Sequence, residues 1–246
     1  MRRVLVAGGA GGVGEAIVRA LLDAGDVEVL ATSRSAERLN ALAASLEPGL
    51  RPRLSRIVGE AGSFEGAARI VAEVEARGGA DVAIALLGRG FWSSGPLLSL
   101  DPREWNAVLD EMLTAHFAFA RAAIPMLAAR RDSLYLSIGG GAAFTPVPDA
   151  ALMSIAAAGQ LMLTRALAAE GGEASPRICE LVIDGPVRTR DSADFAEASW
   201  IGADEVARSV VEIAFGAAPP TVVVIGGRDR AARVRPPGYS GRENAL

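Results

Sequence analysis

The sequence contains a single cysteine, Cys179, and a single histidine, His116, among 246 residues. One cysteine cannot form an intrachain disulfide, so a reducing cytoplasm is the simplest expected location. One histidine with one cysteine cannot build any of the common zinc sites, and we expect no metal. The net charge is −4. Since nucleic-acid partners require a basic surface, we expect none here.

Long hydrophobic runs and a leader pattern are also missing. No apolar stretch reaches the roughly 18–20 residues needed to cross a bilayer, so we expect no membrane partner. The chain begins Met1-Arg2-Arg3-Val4 and passes directly into a strand-like segment. The successive basic, apolar and small-residue regions of a signal peptide do not precede that segment.

Short β-branched runs alternate with helical segments rich in alanine and leucine. Strands are predicted at 4–7, 27–31, 54–58, 81–87, 134–138, 178–183 and 221–225. Helices are predicted at 15–24, 36–45, 66–77, 102–130 (bent or broken near Pro125), 150–170 and 203–215. This alternation is typical of α/β proteins and predicts a Rossmann-like, doubly wound parallel sheet of about seven strands, with helices on both faces. We expect one domain at 1–229 and a basic, Pro/Gly-rich tail at 230–246.

A glycine-rich segment lies between the first predicted strand and the first predicted helix. It contains Gly8, Gly12, Val13 and Gly14. Glycines here let the backbone turn sharply and approach a pyrophosphate, towards which the helix N-terminus directs its N–H groups. The alternative is a glycine turn that serves only the packing of the helix on the sheet.

The spacing Gly8-x-x-x-Gly12-x-Gly14 resembles that of the short-chain dehydrogenase/reductase family rather than G-x-G-x-x-G. Other segments resemble landmarks of that family: Arg-Ala-Ala-Ile-Pro at 121–125, Leu-Thr-Arg-Ala-Leu-Ala at 163–168, Gly-Pro-Val-Arg-Thr at 185–189, and the last strand at 222–227. The resemblance implies a dinucleotide cofactor and a small-molecule substrate. It also implies a homodimer or homotetramer formed through the helices at 102–130 and 150–170.

The end of the second strand bears on which dinucleotide binds. Ser33 and Arg34 stand where an acidic residue would select NAD, and the planar guanidinium of Arg34 suits a 2′-phosphate. NADP(H) is therefore the expected cofactor, although Arg34 could also be a solvated surface residue. By resemblance, Glu60 lies near the adenine or in an exposed loop. Thr189 contacts the nicotinamide carboxamide or is a plain turn residue.

The resemblance fails at the catalytic tetrad of asparagine, serine, tyrosine and lysine, in which the tyrosine gives a proton to the developing alkoxide. The four positions hold Met112 (asparagine), Gly140 (serine), Met153 (tyrosine) and Ala157 (lysine). The Asn-Asn-Ala-Gly signature is replaced by Ala85-Leu86-Leu87-Gly88, which keeps Gly88 as a cofactor contact. Leu86 and Leu87 could crowd that cofactor. Together with the two methionines they predict a pocket for an apolar substrate, or simply filled-in packing.

His116 and Asp184 are weak acid–base candidates. His116 has an ordinary pKa near 6.5 and shares a helical face with Met112, although a core or interface position is the leading interpretation. Asp184, if buried, could carry a raised pKa. Asp149 is predicted to cap the helix that bears Met153.

Other residues near the expected cleft have weaker assignments. Tyr135, on a strand, is expected to be structural, and Tyr239 lies in the tail. The residues that follow the fourth strand, and that are expected to shape the substrate side, are Arg89, Phe91 and Trp92.

Three functions remain open from the sequence. The first is an atypical NADP(H)-dependent oxidoreductase whose proton comes from water or from the substrate. The second is a non-redox cyclase, isomerase or dehydratase, and the third is a non-catalytic binding subunit. The oxidoreductase ranks first through the family resemblance alone, which is an inference from fold rather than from site.

Overall fold

The structure is a computed structural model that describes residues 1–88, 95–172 and 174–227. Its strands are β1 Arg2–Ala7, β2 Val27–Ser33, β3 Leu54–Val58, β4 Val82–Ala85, β5 Leu134–Gly140, β6 Arg177–Asp184, β7 Val187–Arg188, β8 Ile201–Gly202 and β9 Val222–Gly226. Its helices are α1 Gly12–Asp23, α2 Ala36–Ser45, α3 Phe64–Ala76, α4 Pro102–Leu109, α5 Ala115–Ala128, α6 Ala151–Glu170 and α7 Ala203–Phe215. The predicted alternation of strands and helices is confirmed.

One parallel sheet organises the described residues. Its seven strands follow the order β3-β2-β1-β4-β5-β6-β9, and every pairing is parallel. The predicted fold class is therefore confirmed. The short strands β7 and β8 pair separately, beyond the end of β6.

Helices cover both faces of this sheet. Along β1, Val4 and Val6 pack into one apolar cluster, whereas Leu5 and Ala7 pack into the other. The first cluster is closed by α1, α2 and α7, and the second by α3 and α5. Because successive side chains point to opposite faces, a strand buried on both sides must be apolar throughout, as this strand is.

The long predicted helix is interrupted at a different place from the one expected. Between α4 and α5 the chain forms a π turn, Asp110–Thr114, while Pro125 lies inside a continuous α5. Pro125 has no backbone N–H to donate to the preceding turn. It lies in the last turn of α5, three residues before the helix ends, so this missing hydrogen bond affects only the end of the helix. Single π turns of this kind are frequent at functional sites.

Helix α6 corrects the expectation about membrane length. By length and composition alone it could cross a membrane, with a mean hydropathy of 1.4. Core helices of soluble proteins pass the same test. Here α6 packs on β5 and β6 through buried residues that include Leu152, Ala156 and Leu161.

The glycine turn after β1 is held tightly against the end of β4. Gly8 has φ +83°, and a Cβ there would lie 2.1 Å from the carbonyl oxygen of Leu86. A Cβ on Gly14 would lie 2.2 Å from the carbonyl oxygen of Gly8. These approaches are closer than van der Waals contact allows, so no other residue type fits at either position without movement of the backbone.

Gly14→Ala is expected to lower the free energy of unfolding by about 1–3 kcal/mol, because the new methyl group overlaps backbone that cannot move aside easily. Gly11→Ala is the matched control in the same turn. Its Cβ would lie 3.4 Å from the Gly8 carbonyl oxygen. The control should lose less than about 1 kcal/mol, as expected for alanine at an N-cap. Urea denaturation measures both, and equal losses would contradict the packing described.

Candidate cofactor and substrate cleft

A large cleft opens at the carboxyl ends of the strands, with a volume of about 2360 Å³. This exceeds the roughly 300–1,000 Å³ of pockets that hold drug-sized ligands, and leaves room for a dinucleotide beside a substrate. Most of the residues predicted from the sequence line it: Gly8, Gly12, Val13, Ser33, Arg34, Glu60, Leu86, Leu87, Gly88, Met112, Gly140, Met153, Ala157, Asp184 and Thr189. Gly14 and His116 lie outside the lining, Gly14 beneath the turn and His116 in the core.

At the adenosine end of the cleft, Arg34 and Glu60 lie close enough to form an ion pair. Arg34 Nε lies 3.6 Å from Glu60 Oε2, and both side chains are well exposed. The other carboxylate oxygen of Glu60 accepts a hydrogen bond from the Gly62 N–H at 3.0 Å. Because an exposed ion pair contributes only about 0–1 kcal/mol, a phosphate can displace Glu60 from Arg34 at little cost.

Thr189, which directly follows β7, meets the glycine turn at the start of α1. A Cβ on Gly12 would lie 2.8 Å from the Cβ of Thr189. The Thr189 N–H donates to Ser192 Oγ at 2.9 Å, and the two residues form a capping box. Two predicted cofactor contacts that are distant in the chain are therefore adjacent in space, and Gly12 leaves the room that Thr189 occupies.

The dinucleotide fits the residues present at this end of the cleft. The turn presents backbone to the cleft at positions where a Cβ would collide, and it leads into the N-terminus of α1. Such a terminus favours an anion. Arg34 supplies a planar donor for a further phosphate group.

The four residues that the sequence analysis assigned to the tetrad positions line the same cleft. Met112 lies in the π turn, and a Cβ on Gly88 would lie 3.4 Å from its Cγ. Met153 and Ala157 line the cleft from α6. A Cβ on Gly140 would have no atom within 4 Å, so a larger side chain would fit there. None of the four side chains can titrate.

The amino-acid composition bears on the tetrad lysine more directly than the matching of motifs does. The chain contains no lysine, since all 25 of its Lys and Arg residues are arginine. No shift of register can therefore restore the lysine of the tetrad. Arginine stays protonated, and it cannot replace a lysine that takes part in proton transfer.

His116 is buried, with 1% of its surface exposed, and burial lowers its pKa to about 4. Its Nε2 lies 3.3 Å from the Leu87 carbonyl oxygen, and its Nδ1 lies 3.2 Å from Ser137 Oγ. The π turn between Met112 and His116 breaks the α-helical spacing on which their shared face was predicted. The structure thus supports the core interpretation of His116 and not proton transfer at neutral pH.

Asp184 does not meet the condition of burial that was attached to its role as an acid–base candidate. The side chain is half-buried at the end of β6, rather than buried. It lies against the backbone of two glycines. A Cβ placed on Gly141 would lie 2.1 Å from Asp184 Oδ1, and a Cβ placed on Gly227 would lie 3.1 Å from Asp184 Oδ2. Asp184 therefore places a carboxylate beside the position where the family serine would stand.

A buried polar network lies directly beneath the cleft, and sequence reasoning missed it. Glu180, on β6, is fully buried and accepts a hydrogen bond from Thr164 Oγ1 at 2.6 Å. Gln160, on α6, donates from Nε2 to Ser137 Oγ and to the Ile138 carbonyl oxygen, both at 3.0 Å. The same Nε2 lies 3.5 Å from Glu180 Oε1. Burial raises the pKa of Glu180 to about 7.

Two hydroxyl groups near the cleft have structural partners. Tyr135 is buried beside Phe119, and burial raises the pKa of its phenol well above the ordinary value, as expected for a structural residue. Ser154 Oγ accepts from the Val147 N–H at 3.0 Å and lies 3.4 Å from the Ala150 carbonyl oxygen. Neither hydroxyl replaces the missing tyrosine.

The start of α6 corrects one local prediction. The N-cap residue is Ala150, without a side-chain cap, whereas Asp149 lies one residue earlier with φ +55°. The left-handed backbone at Asp149 turns the chain before the helix begins, so this carboxylate is not the N-cap. The remaining predictions, Arg89, Phe91, Trp92, Tyr239 and the tail at 230–246, fall outside the described residues.

Glu180→Gln is expected to change how stability depends on pH. Between pH 4.5 and 7 the unfolded chain releases a Glu180 proton that the folded chain keeps, so this residue lowers stability as pH rises. His116 acts oppositely, because below pH 6.5 the unfolded chain binds a proton that the folded chain excludes down to about pH 4.

Removing Glu180 should therefore make the variant gain stability relative to the native protein as pH rises from 4.5 to 7. The slope should be at most about 1.4 kcal/mol per pH unit. His116→Gln should give the opposite slope between pH 4 and 6.5. Urea unfolding at several pH values measures both, and parallel profiles for all three proteins would contradict the assigned burial effects.

Comparison with known proteins identifies the family. A family model described as enoyl-(acyl carrier protein) reductase matches residues 8–214. Dehydrogenase/reductase SDR family member 4 of Bos taurus is 28% identical over 199 residues, which are 80% of this chain and 68% of that protein.

Solved structures agree. A metagenomic short-chain oxidoreductase in complex with NADP is 25% identical, with a TM-score of 0.74 over 91% of this chain and 96% of that one. An NADPH-bound short-chain oxidoreductase from Pseudomonas aeruginosa PAO1, described as containing an atypical catalytic center, is 24% identical. Its TM-score is 0.80 over 94% of this chain and 98% of that one, which shows the shared fold. The chain belongs to the short-chain dehydrogenase/reductase family of oxidoreductases.

Proposed function

We propose that the protein is an NADP(H)-dependent oxidoreductase that acts on an apolar small molecule without the usual tetrad. One observation carries the proposal. The dinucleotide half of the cleft keeps its glycine turn, Arg34 and Thr189, whereas the residues predicted at the four tetrad positions of the same cleft are non-titratable. NADP in the related metagenomic oxidoreductase supports the choice of cofactor.

In this proposal the protein supplies binding and orientation. The backbone of the glycine turn holds the pyrophosphate, and Arg34 holds the 2′-phosphate after Glu60 is displaced. Thr189 orients the carboxamide of the nicotinamide. When bound, NADP(H) supplies or accepts a hydride.

The substrate half of the cleft favours an apolar ligand. Met112, Met153 and Leu87 line it from three different elements, and methionine side chains adapt to irregular shapes. The loop between β7 and β8 adds Phe195 and Trp200, whose rings meet edge to face with centroids 5.8 Å apart.

The proton is supplied by water or by the substrate itself in this proposal. Asp184 is the acid–base candidate, because its carboxylate is half-exposed beside Gly141 and lines the cleft. In the direction of reduction, one hydride and one proton add to the substrate.

We also propose that the protein self-associates through the outer faces of α5 and α6, with a second copy as the partner. These faces expose Phe117, Ile155 and Met162, with 42%, 38% and 59% of their surfaces accessible. Only 39% of the apolar stretch of α6 is buried within one chain. Large exposed apolar patches mark interaction surfaces.

Arg34→Leu should weaken NADPH binding by about tenfold to a hundredfold and leave NADH binding unchanged. The reason is that a hydrogen bond to a charged group contributes about 1.5–3 kcal/mol. Glu60→Gln is the matched control, and it should keep or tighten NADPH binding because it releases Arg34 from its ion pair. Fluorescence titration measures the dissociation constants. Equal losses for both nucleotides in Arg34→Leu would exclude the assigned phosphate contact.

NADPH oxidation should be detectable with apolar ketones, aldehydes or enones as acceptors. The variant Asp184→Asn should oxidise NADPH more slowly than the native protein, while its affinity for NADPH should fall less than this rate. Absorbance at the nicotinamide band measures the rate across a substrate panel. If NADPH binds but no acceptor is reduced, the redox proposal fails. Product formed without NADPH consumption would instead identify a non-redox enzyme on the same scaffold.

A further inference from the structure

Gln160 has an unusual position in the cleft. Its side chain is 96% buried, with 4% exposed, yet it is one of the cleft-lining residues. The cleft-lining side chains of α6 are Met153, Ala157 and Gln160, and of these Gln160 offers the strong hydrogen-bond acceptor, since a methionine thioether accepts only weakly.

The orientation of the Gln160 carboxamide is fixed by its partners. The Ile138 carbonyl oxygen can only accept a hydrogen bond, so the group 3.0 Å from it must be the donor Nε2. The same Nε2 serves Ser137 Oγ and lies near Glu180. No described group donates to Oε1, the remaining polar atom of the amide. Oε1 is not one of the fully buried polar atoms that lack a partner, so it is accessible from the cleft, where water or a ligand can supply the donor.

The position of Gln160 along the sheet indicates which part of a ligand it meets. The glycine turn lies at the end of β1, and β4 and β5 follow in the sheet order. In doubly wound folds the ligand lies across the carboxyl ends of the strands at this switch point. A dinucleotide whose pyrophosphate lies on the turn and whose adenosine lies towards Arg34 extends its other half over β4 and β5. Gln160 is bonded to Ser137 and Ile138, both on β5.

We propose that Gln160 Oε1 accepts a hydrogen bond from a hydroxyl group of the nicotinamide-side ribose. This inference rests on the dinucleotide binding in the proposed function, but not on the redox reaction. Ribose hydroxyls are donors, which Oε1 requires, and the neighbouring Met153 and Ala157 offer no competing acceptor.

The buried network gives Gln160 its fixed orientation. Glu180 is held by the short hydrogen bond from Thr164 and lies on one side of Nε2, while Ser137 and Ile138 lie on the other. An acceptor held in place in this way loses little rotamer freedom when the ligand binds. Glu180, Thr164 and Ser137 are positioning residues in this arrangement, and Gln160 is the contact.

Three nucleotides separate the parts of the ligand. 2′,5′-ADP contains only the adenosine half, 2′-phospho-ADP-ribose adds the second ribose, and NADPH adds the nicotinamide. Gln160→Met keeps the length of the side chain and removes the amide. The variant should bind 2′-phospho-ADP-ribose and NADPH about threefold to tenfold more weakly, the effect of one neutral hydrogen bond, and 2′,5′-ADP equally well.

Ser133→Ala is the matched control. It removes a buried hydrogen bond, from Ser133 Oγ to the Leu127 carbonyl oxygen at 2.8 Å, at a residue that belongs neither to the network around Gln160 nor to the lining of the cleft. It should lower stability and leave the affinity for all three nucleotides unchanged. If Gln160→Met does not fold, the double variant Gln160→Met with Glu180→Gln removes the buried charge as well and is measured instead against Glu180→Gln alone.

The possible outcomes separate this inference from the proposed function. Equal weakening of all three nucleotides in Gln160→Met would show a structural role and overturn the contact. Weakening of NADPH alone would place the lost interaction beyond the ribose and would also overturn it. If the native protein bound none of the three nucleotides, the proposed function itself would fail. Normal binding of NADPH and 2′-phospho-ADP-ribose by Gln160→Met would reject only the contact.

Discussion

The cleft depends on the close approach of the glycine turn to the end of β4. Gly8 meets the Leu86 carbonyl, and the Leu86 N–H donates to the Ala7 carbonyl oxygen at 3.1 Å. This contact ends β4 beside β1, at the point where the sheet order reverses and a doubly wound fold opens a crevice. The π turn, Thr189 and the carboxyl end of β5 are then arranged around that crevice. A side chain at Gly8 would separate the two strand ends.

Polarity is distributed unusually around the catalytic half of this cleft. At the surface of the pocket the tetrad positions hold methionine, glycine and alanine. One layer below, Glu180, Ser137 and His116 join with Gln160, which reaches the cleft, in a continuous hydrogen-bonded group between α6, β5, β6 and α5. Buried networks of this kind are favourable only when their members are satisfied, and we propose that the ligand satisfies the remaining acceptor, Gln160 Oε1. The polar groups are therefore better placed to orient a ligand than to exchange protons with solvent.

The sequence predicted the alternation of elements because both faces of the sheet are covered, and continuous apolar strands carry that signal. It also predicted the residues that line the cleft, since glycines, Arg34 and Thr189 follow strand ends that must meet at one edge. The π turn was missed because Pro125 carries a known helix-breaking signal, whereas nothing local in Asp110–Thr114 announces a change of winding. The face predicted to be shared by His116 and Met112 fails for the same reason, because it assumed regular α-helical spacing, whereas the leading interpretation of His116 as a core residue is supported.

Gln160 and Glu180 could not be paired from the sequence, since they lie on different elements and meet only through the packing of α6 on β6. Their presence was nevertheless visible as two polar residues within otherwise apolar segments. The absence of lysine was visible too, and it excludes the usual tetrad more firmly than any alignment.

A crystal structure of the protein with NADPH tests the central claim most directly. The predicted result places the pyrophosphate on the glycine turn, the 2′-phosphate at Arg34, and the nicotinamide between Met112, Met153 and Thr189. No tyrosine, lysine or histidine should lie within hydrogen-bonding distance of the space beside the reactive carbon of the nicotinamide. A nucleotide bound elsewhere, or a tyrosine or histidine side chain that moves into that space, would contradict it.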